Sequence, residues 1–275
     1  MISSASNPKI KQIRKLLRDR KEREAAGLFF IEGLRVVGEA VQTGAEVAAV
    51  YFAPELLTSR FGQDLVQSQR ELGIPVEEVS QEVFREISSK EGPQGIGALL
   101  REHWTPLERI SPAPGDIWVA LDSVQDPGNL GTILRTADAV GARGTVLLDH
   151  STDPYDLTAV RASTGAVFSQ VLSRASLDEF SAWKSRVGIP VVGTSGGAAR
   201  MYREAAYPNP VLLLMGSERQ GLQPAHYDLC DQVVSIPMTG RSDSLNLSIA
   251  TGIVLYEIFF QRRQPGEGQQ GSGSR

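Results

Sequence analysis

The chain has 275 residues, of which 41% are hydrophobic and 22% charged, and its formal net charge is −4 at pH 7. This composition is typical of a globular protein, and no apolar run approaches the roughly 20 residues that a membrane-spanning helix needs. A single cysteine, Cys230, excludes an intramolecular disulfide framework, and the three histidines lack zinc-ligand spacing. We therefore expect no metal and no membrane contact. Because the N-terminus lacks the apolar segment of a secretory signal, we expect a cytoplasmic location.

The N-terminal residues 1–24 form a basic segment, with eight Lys or Arg residues against three acidic ones in an otherwise acidic chain. Ser6 or Asn7 could cap a helix that has Pro8 in its first turn. The apolar residues that would lie on one side of this helix are Ile10, Ile13, Leu16 and Leu17. The segment is therefore predicted to be a basic amphipathic helical arm. Its charged face is either a solvated surface or a contact for nucleic-acid phosphates.

Residues 25–104 alternate between short apolar strands and helices, which is typical of a small α/β domain. The predicted strands are Leu28–Ile31, Val47–Phe52, Ile74–Val79 and Ile96–Leu100. The predicted helices cover Leu34–Gln42, a stretch up to Leu72, and a segment through Val83 and Ile87. Three prolines and a glycine then interrupt the pattern, so a linker is predicted at 105–116.

A second domain is predicted at 117–264, followed by a low-complexity, disordered tail at 265–275. Its predicted strands are Ile117–Leu121, Thr145–Leu148, Val167–Leu172, Pro190–Gly193, Val211–Met215 and Gln232–Ile236. Its predicted helices are 129–140, 176–187 and 246–262. The alternation indicates a largely parallel sheet covered on both faces. Ligands of such sheets bind beyond the carboxyl ends of the strands.

Three polar, glycine-containing loops follow strands of this domain: DPGNLGTILRTA at 126–137, GSERQGL at 216–222 and IPMTGRSDSLNLSIA at 236–250. In the first, Asn129 is predicted to cap a helix whose apolar spacing leaves Arg135 facing away from the core. A shorter fourth loop, VVGTSGGAAR, lies at 191–200. None of these loops contains a P-loop, a GxGxxG dinucleotide motif or a GxSxG nucleophile elbow. The corresponding nucleotide-binding and hydrolase functions are therefore unsupported.

In order, these loops closely resemble the three motifs of the SpoU-type RNA 2′-O-ribose methyltransferases, the TrmH-like branch of the knotted SPOUT superfamily. The first motif is matched by Asn129 through Arg135 to Thr136 and Ala137, the second by Gly216-Ser217-Glu218 with Gly221, and the third by Ile236-Pro237-Met238 followed by 244–250. Upstream, 29–33 and 94–96 resemble the ends of the family's small substrate-binding domain. The resemblance covers about residues 25–262.

This resemblance implies a C-terminal α/β methyltransferase domain with a parallel sheet and a trefoil knot, preceded by a small α/β RNA-binding domain. It implies S-adenosyl-L-methionine as methyl donor, structured RNA as substrate with 23S rRNA favoured, and a homodimer whose active site crosses the subunit interface. The cofactor-binding residues that it implies are Gly193, Thr194, Gly216, Ile236, Met238 and Leu245. The catalytic residues that it implies are Asn129, Arg135, Glu218 and Asn246.

A guanidinium keeps its proton at neutral pH, so we expect Arg135 to bind the target phosphate and the developing oxyanion. Asn129 is expected to orient Arg135 or the ribose, Glu218 to fix Arg135 or Asn246, and Asn246 to place the hydroxyl. Taken singly, the asparagines could only cap helices and the charged residues could only form a surface pair. A tRNA 2′-O-methyltransferase, a non-catalytic RNA-binding relative and an unrelated small-molecule enzyme stay open as alternatives.

Overall fold

The computed structural model describes residues 1–263, which form two compact units. The first unit contains residues 1–103 and 153–169, and the second contains residues 104–152 and 170–263. These units differ from the predicted division, because the basic helix is part of the first unit and the predicted linker is part of the second. The predicted tail, 265–275, lies outside the described residues.

The first unit is built on a four-stranded mixed sheet. In chain order its strands are β1 (Leu28–Glu32), β2 (Val47–Phe52), β3 (Val76–Glu78) and β4 (Ile96–Arg101). The sheet order is β1-β4-β2-β3, with β4 antiparallel to both neighbours and β3 parallel to β2. The helices are α1 (Pro8–Arg18), α2 (Arg20–Ala26), α3 (Leu34–Gln42), α4 (Arg60–Glu71), α5 (Gln81–Ile87), α7 (Leu157–Ser163) and α8 (Ala166–Ser169). The predicted α/β character of this region is confirmed.

The N-terminal segment is an integral layer of this unit. Asn7 caps α1, since its side chain accepts a hydrogen bond from the backbone N of Lys9 at 2.9 Å. The apolar face of the helix is buried, at 0% exposure for Ile10 and Ile13 and 2% for Leu16. The predicted amphipathic helix is therefore confirmed, but it packs into the core of the unit and is not a separate arm.

Ion pairs made by Arg23 and by Arg161 hold residues 153–169 in the first unit. The buried Arg23 lies 2.7 Å from Asp153, measured from Nε to Oδ2, and also donates to the carbonyl of Leu16. Arg161 of α7 pairs with the buried carboxylate of Glu32 at the end of β1. Each buried charge thus has an opposite charge as its partner.

The strand predicted at Val167–Leu172 is wrong in its first half, where the chain forms α8. Thr164 and Gly165 have positive φ angles of 52° and 105°, which turn the chain, and Phe168 N then donates to Gly165 O at 2.9 Å. A short apolar run fits a strand and a buried helical turn equally well. In this case, packing of the Phe168 ring against Phe29 accompanies the helical turn.

The second unit contains a seven-stranded sheet in the order β7-β6-β5-β10-β8-β11-β9, and all neighbouring strands are parallel. In chain order the strands are β5 (Ile117–Asp122), β6 (Gly144–Leu148), β7 (Val171–Ala175), β8 (Val191–Thr194), β9 (Arg200–Met201), β10 (Val211–Met215) and β11 (Gln232–Ser235). The helices are α6 (Pro127–Ala139), α9 (Leu177–Val187), α10 (Pro224–Tyr227) and α11 (Leu247–Arg262). The predicted parallel sheet is confirmed.

This strand order determines where a site can form. The strands β5, β10, β8 and β11 are consecutive neighbours, so the loops that leave their carboxyl ends lie side by side. The predicted linker contributes Leu107 and Ile110 to the core under this sheet, and Trp183 Nε1 donates to Ile110 O at 3.0 Å. Among residues 1–263, no helix is long and apolar enough to cross a membrane, and no group of three or more potential ligands could hold a metal ion.

Candidate functional site

Asn129 lies in the first turn of α6 and does not cap this helix, contrary to the sequence prediction. The cap is Asp126, whose Oδ1 accepts from Asn129 N at 2.7 Å, and Pro127 occupies the first helical position. Proline is favoured there because its φ angle suits a helix and its missing N–H is not needed. The helix therefore begins at Pro127, and the Asn129 side chain is free to bond elsewhere.

The Asn129 side chain joins two other predicted catalytic residues. Its Nδ2 donates to Glu218 Oε1 at 2.7 Å, and its Oδ1 accepts from Asn246 Nδ2 at 2.9 Å. The second Glu218 oxygen accepts from the backbone N of Gln125 at 3.2 Å. Loops that follow β5, β10 and β11 thus meet in one hydrogen-bonded cluster, which we call the Asn129 cluster (Gln125, Asn129, Glu218 and Asn246).

Asn246 also caps α11, as the sequence predicted. Its Oδ1 accepts from the backbone N of Ser248 at 2.9 Å and from the Ser248 hydroxyl at 2.6 Å. The cap uses the side-chain oxygen, whereas the cluster uses the side-chain nitrogen. The two roles therefore coexist, and they fix which way the amide points.

Arg135 extends from the exposed side of α6, while Leu130, Ile133, Leu134 and Ala137 on the other side are fully buried. The predicted orientation of Arg135 away from the core is confirmed. Within the described part of the chain, no acidic side chain lies close enough to pair with it. Glu218 binds Asn129, and not Arg135 or Asn246 as expected from the sequence. The guanidinium is therefore available to a partner outside this chain.

A cleft of about 300 Å³ opens beside the cluster. Its lining comes from the loops after β8, β10 and β11 and from the start of α11, and consists of Thr194, Ser195, Gly196, Gln220, Gly221, Leu222, Tyr227, Val234, Ile236, Met238, Asp243, Ser244, Leu245 and Ala250. Four of the six predicted cofactor residues therefore line the cleft: Thr194, Ile236, Met238 and Leu245. Gly193 and Gly216 are not part of its lining.

The two remaining glycines lie next to residues that line the cleft, and each has a packing reason to lack a side chain. A Cβ at Gly193 would lie 2.6 Å from Cys230 Sγ. A Cβ at Gly216 would overlap the backbone of Gly221 and Leu222, where the loop after β10 folds back on itself. The sequence suggested that Gly216 allows close approach of a ligand. In the structure, the space is taken by the protein's own backbone.

Several further residues of the site were not predicted from the sequence. Ser195 lies in the fourth loop, and its hydroxyl is 2.8 Å from the Tyr227 hydroxyl across the cleft. Tyr227 ends α10, a four-residue helix whose start at Pro224 was the one available signal. On the same short helix, buried His226 places Nε2 3.5 Å from Asp122 Oδ2 at the end of β5.

The parallel α/β sheet, with its ordered polar loops at the ends of β5, β10 and β11, defines the class of protein. Residues 116–256 match the SpoU rRNA Methylase family, and residues 7–98 match the MRM3-like substrate binding domain. The chain belongs to the SpoU rRNA methylase family.

Several relatives are similar over nearly the whole chain. A 23S rRNA (uridine(2479)-2′-O)-methyltransferase from Streptomyces viridochromogenes is 33% identical over 94% of this chain and 92% of its own length. The 23S rRNA (guanosine(2553)-2′-O)-methyltransferase RlmP from Bacillus subtilis is 32% identical over 94% of this chain and 98% of its own length. The crystal structure of an AdoMet-bound rRNA methyltransferase from Sinorhizobium meliloti superposes with a TM-score of 0.87 at 38% identity, covering 94% of this chain and 97% of that one.

Proposed function

We propose that this chain transfers a methyl group from S-adenosyl-L-methionine to a ribose 2′-hydroxyl of 23S ribosomal RNA. The observation that carries the proposal is the Asn129 cluster, which joins three motif loops beside one cleft. The two named relatives act on uridine and guanosine, so the feature that their substrates share is the ribose hydroxyl and not the base. This common chemistry is what we assign to the present chain.

The cleft suits a nucleoside-type cofactor. Its volume of about 300 Å³ is at the lower end of the range of small-molecule pockets, about 300–1,000 Å³. Ile236, Met238 and Leu245 offer apolar surface, and Thr194 and Asp243 offer polar groups. When bound there, S-adenosyl-L-methionine supplies an electrophilic methyl carbon and is left as a neutral thioether. Gly193 and Gly216 allow the close packing that shapes the pocket.

The catalytic roles follow from the position of each donor and acceptor. Attack by the 2′-oxygen requires loss of the hydroxyl proton, which places negative charge on that oxygen. Arg135 carries unpaired donors that can bind the target phosphate and this developing charge by charge-assisted hydrogen bonds. Glu218 orients Asn129, and Asn129 in turn orients Asn246. The asparagine pair then positions the ribose hydroxyl.

Arg135 would act in a homodimer whose active site crosses the subunit interface. The exposed face of α11 carries apolar residues at helical spacing, with 54% exposure at Ile249, 40% at Tyr256 and 63% at Phe260. Large exposed apolar residues on one face of a helix are typical of a protein–protein interface. Because α11 packs on α6, which bears Arg135, a second copy on this face would lie close to the catalytic loops.

Three further features belong to the same proposal. The loops after β8, β10 and β11 would form the trefoil knot that the family resemblance implies, which is consistent with their shared lining of one cleft. The enzyme would act in the cytoplasm, where bacterial ribosomal RNA is found. The small first unit would bind RNA, in agreement with its match to a substrate binding domain.

The experiment that tests the function is transfer of a labelled methyl group from S-adenosyl-L-methionine to deproteinised 23S rRNA, 16S rRNA and bulk tRNA in parallel. We expect label in 23S rRNA, located at a 2′-O-methylated nucleotide that resists alkaline cleavage. Label in tRNA alone would favour a tRNA methyltransferase. Binding of both ligands without transfer would favour a non-catalytic relative, and either result would overturn the proposal.

A further inference from the structure

A second charged feature lies in the first unit, outside the Asn129 cluster and its cleft. The exposed side of α1 and the start of α2 enclose a groove of about 340 Å³. The residues that line it are Lys11, Arg14, Lys15, Arg18, Asp19 and Glu22. Because Lys11, Lys15 and Arg18 recur at helical spacing, they stand on one face of α1. We call this feature the α1 groove.

The basic face of α1 is held in one orientation because the opposite, apolar face of the helix is buried in the core of the unit. The buried residues Ile10, Ile13 and Leu16 hold α1 against the core of the unit. The chain before the helix is also fixed, since Ile2 N donates to Glu78 O at 2.7 Å and Ile2 O accepts from Ser80 N at 2.9 Å. The cations are therefore presented by a rigid backbone.

The basic charge of the groove is only partly compensated. Asp19 caps α2, accepting from Lys21 N at 2.8 Å, and Glu22 Oε1 lies 3.3 Å from Lys15 Nζ. Across residues 1–263, neither Lys11 nor Arg18 has an acidic partner within ion-pair distance. The groove therefore presents two cations that are free to bind an external anion.

We infer that the α1 groove binds the phosphate backbone of the RNA substrate, with Lys11 and Arg18 as the principal contacts. Their separation of seven positions corresponds to about 10 Å along the helix axis, enough to reach more than one phosphate. Lysine binds a phosphate as a point charge, and arginine can bind two phosphate oxygens at once. Such contacts position the RNA without selecting a nucleotide. The inference rests on the proposed function, because it takes RNA as the substrate.

The test compares two doubly substituted proteins that lose the same charge from the same unit. The groove variant is Lys11→Gln with Arg18→Gln. The matched control is Arg35→Gln with Arg85→Gln, at exposed positions of α3 and α5 that, like Lys11 and Arg18, have no acidic partner within ion-pair distance among residues 1–263. Glutamine has a helix propensity close to that of lysine and arginine, so both variants should fold. Circular dichroism and thermal unfolding check this directly.

Binding of deproteinised bacterial 23S rRNA is measured by filter binding between 0.05 and 0.3 M salt. Each lost phosphate contact reduces the slope of log K against log salt by about 0.7–0.9. For the groove variant we expect a slope smaller by about 1.4–1.8 and binding weaker by about tenfold to thirtyfold at 0.15 M salt. The control should stay within about twofold of the unsubstituted protein.

Equal affinities and slopes in the groove variant and the control would overturn the inference. Methyl transfer by the unsubstituted protein is measured on the same RNA, which separates this result from a failure of the proposed function. Transfer to RNA without any dependence on the α1 groove removes the inference and leaves the function. Groove-dependent binding without transfer supports the groove as an RNA contact and removes the function.

Discussion

Replacing Asn129 by aspartate tests the Asn129 cluster with a change of one side-chain atom. The substitution removes the nitrogen that donates to Glu218 Oε1 at 2.7 Å and puts a second carboxylate there. Losing a hydrogen bond to a charged group costs about 1.5–3 kcal/mol. Repulsion between two charges about 4 Å apart adds about 1 kcal/mol in water. If the cluster orients the reacting ribose, turnover should fall by about 10²–10³-fold.

A second substitution should restore the cluster with its donor and acceptor exchanged. In Asn129→Asp combined with Glu218→Gln, the new amide can donate to the new carboxylate, and Asn246 Nδ2 keeps an acceptor. We expect the double variant to recover at least tenfold in kcat over Asn129→Asp alone. Initial rates of methyl transfer to 23S rRNA measure both. Losses that simply add in the double variant would refute the reasoning, because independent residues show no coupling energy.

The matched control is Asn209→Asp, at an exposed residue of the same unit whose Oδ1 accepts from Gly115 N. This change keeps the oxygen acceptor and should leave turnover close to normal. Because Asn129 is not the cap of α6, its replacement by aspartate should lower the free energy of unfolding only through the lost bond to Glu218 and the new repulsion, by about 2.5–4 kcal/mol. Asp126→Ala removes the cap of α6 and should lower the free energy of unfolding by about 1 kcal/mol without touching that bond.

The remaining predictions concern Arg135, the cofactor cleft, the dimer interface on α11 and Cys230. Arg135→Lys should lower kcat by about 100-fold or more while calorimetry shows cofactor binding retained, because lysine cannot make a bidentate contact; near-normal turnover would refute the role. Gly216→Ala should abolish cofactor binding, whereas Gly240→Ala, whose Cβ would meet no atom within 4 Å, should not; equal affinities would contradict the packing argument. Phe260→Glu should turn a dimer into a monomer in sedimentation experiments, and an unchanged mass would exclude the α11 interface. Burial raises the pKa of the Cys230 thiol to about 11, so iodoacetamide at pH 8 should label it slowly until the protein unfolds. The stability that this thiol contributes is present below its unfolded pKa of about 8.5 and is lost as pH rises toward 11; fast labelling of the folded protein would contradict its burial.

Local sequence patterns predicted helices and strands well where the spacing of apolar residues fitted only one type of secondary structure. The apolar spacing of 130–140 identified the buried face of α6, and a helix was predicted around Leu34–Gln42, where α3 lies. The cap of α6 was misassigned because Asp126 and Asn129 are both good cap residues. Pro127, which favours the first helical position, was the signal that identifies Asp126 as the cap.

The division of the chain into units depends on contacts that local patterns do not contain. Residues 153–169 join the first unit through the pairing of Asp153 with Arg23 and of Arg161 with Glu32, which are 130 and 129 residues apart in the chain. Likewise, no spacing rule reveals that β10 inserts between β5 and β8. These pairings arise only when the whole chain is packed.

The site was predicted at the level of its loops, and its internal bonding was not. Family resemblance identified the loops around Asn129, Glu218 and Asn246. That Asn129 lies between the other two depends on contacts spanning 89 and 117 residues of chain. Tyr227 was missed because a four-residue helix has too little periodicity to be recognised.

The proposed function depends most directly on whether the loops after β8, β10 and β11 form the cofactor site. A crystal structure of the protein with S-adenosylhomocysteine, supported by a calorimetric titration, tests this point. We predict one molecule bound per chain in the cleft lined by Thr194, Ile236, Met238 and Leu245. A ligand bound elsewhere, or no measurable binding, would contradict the account.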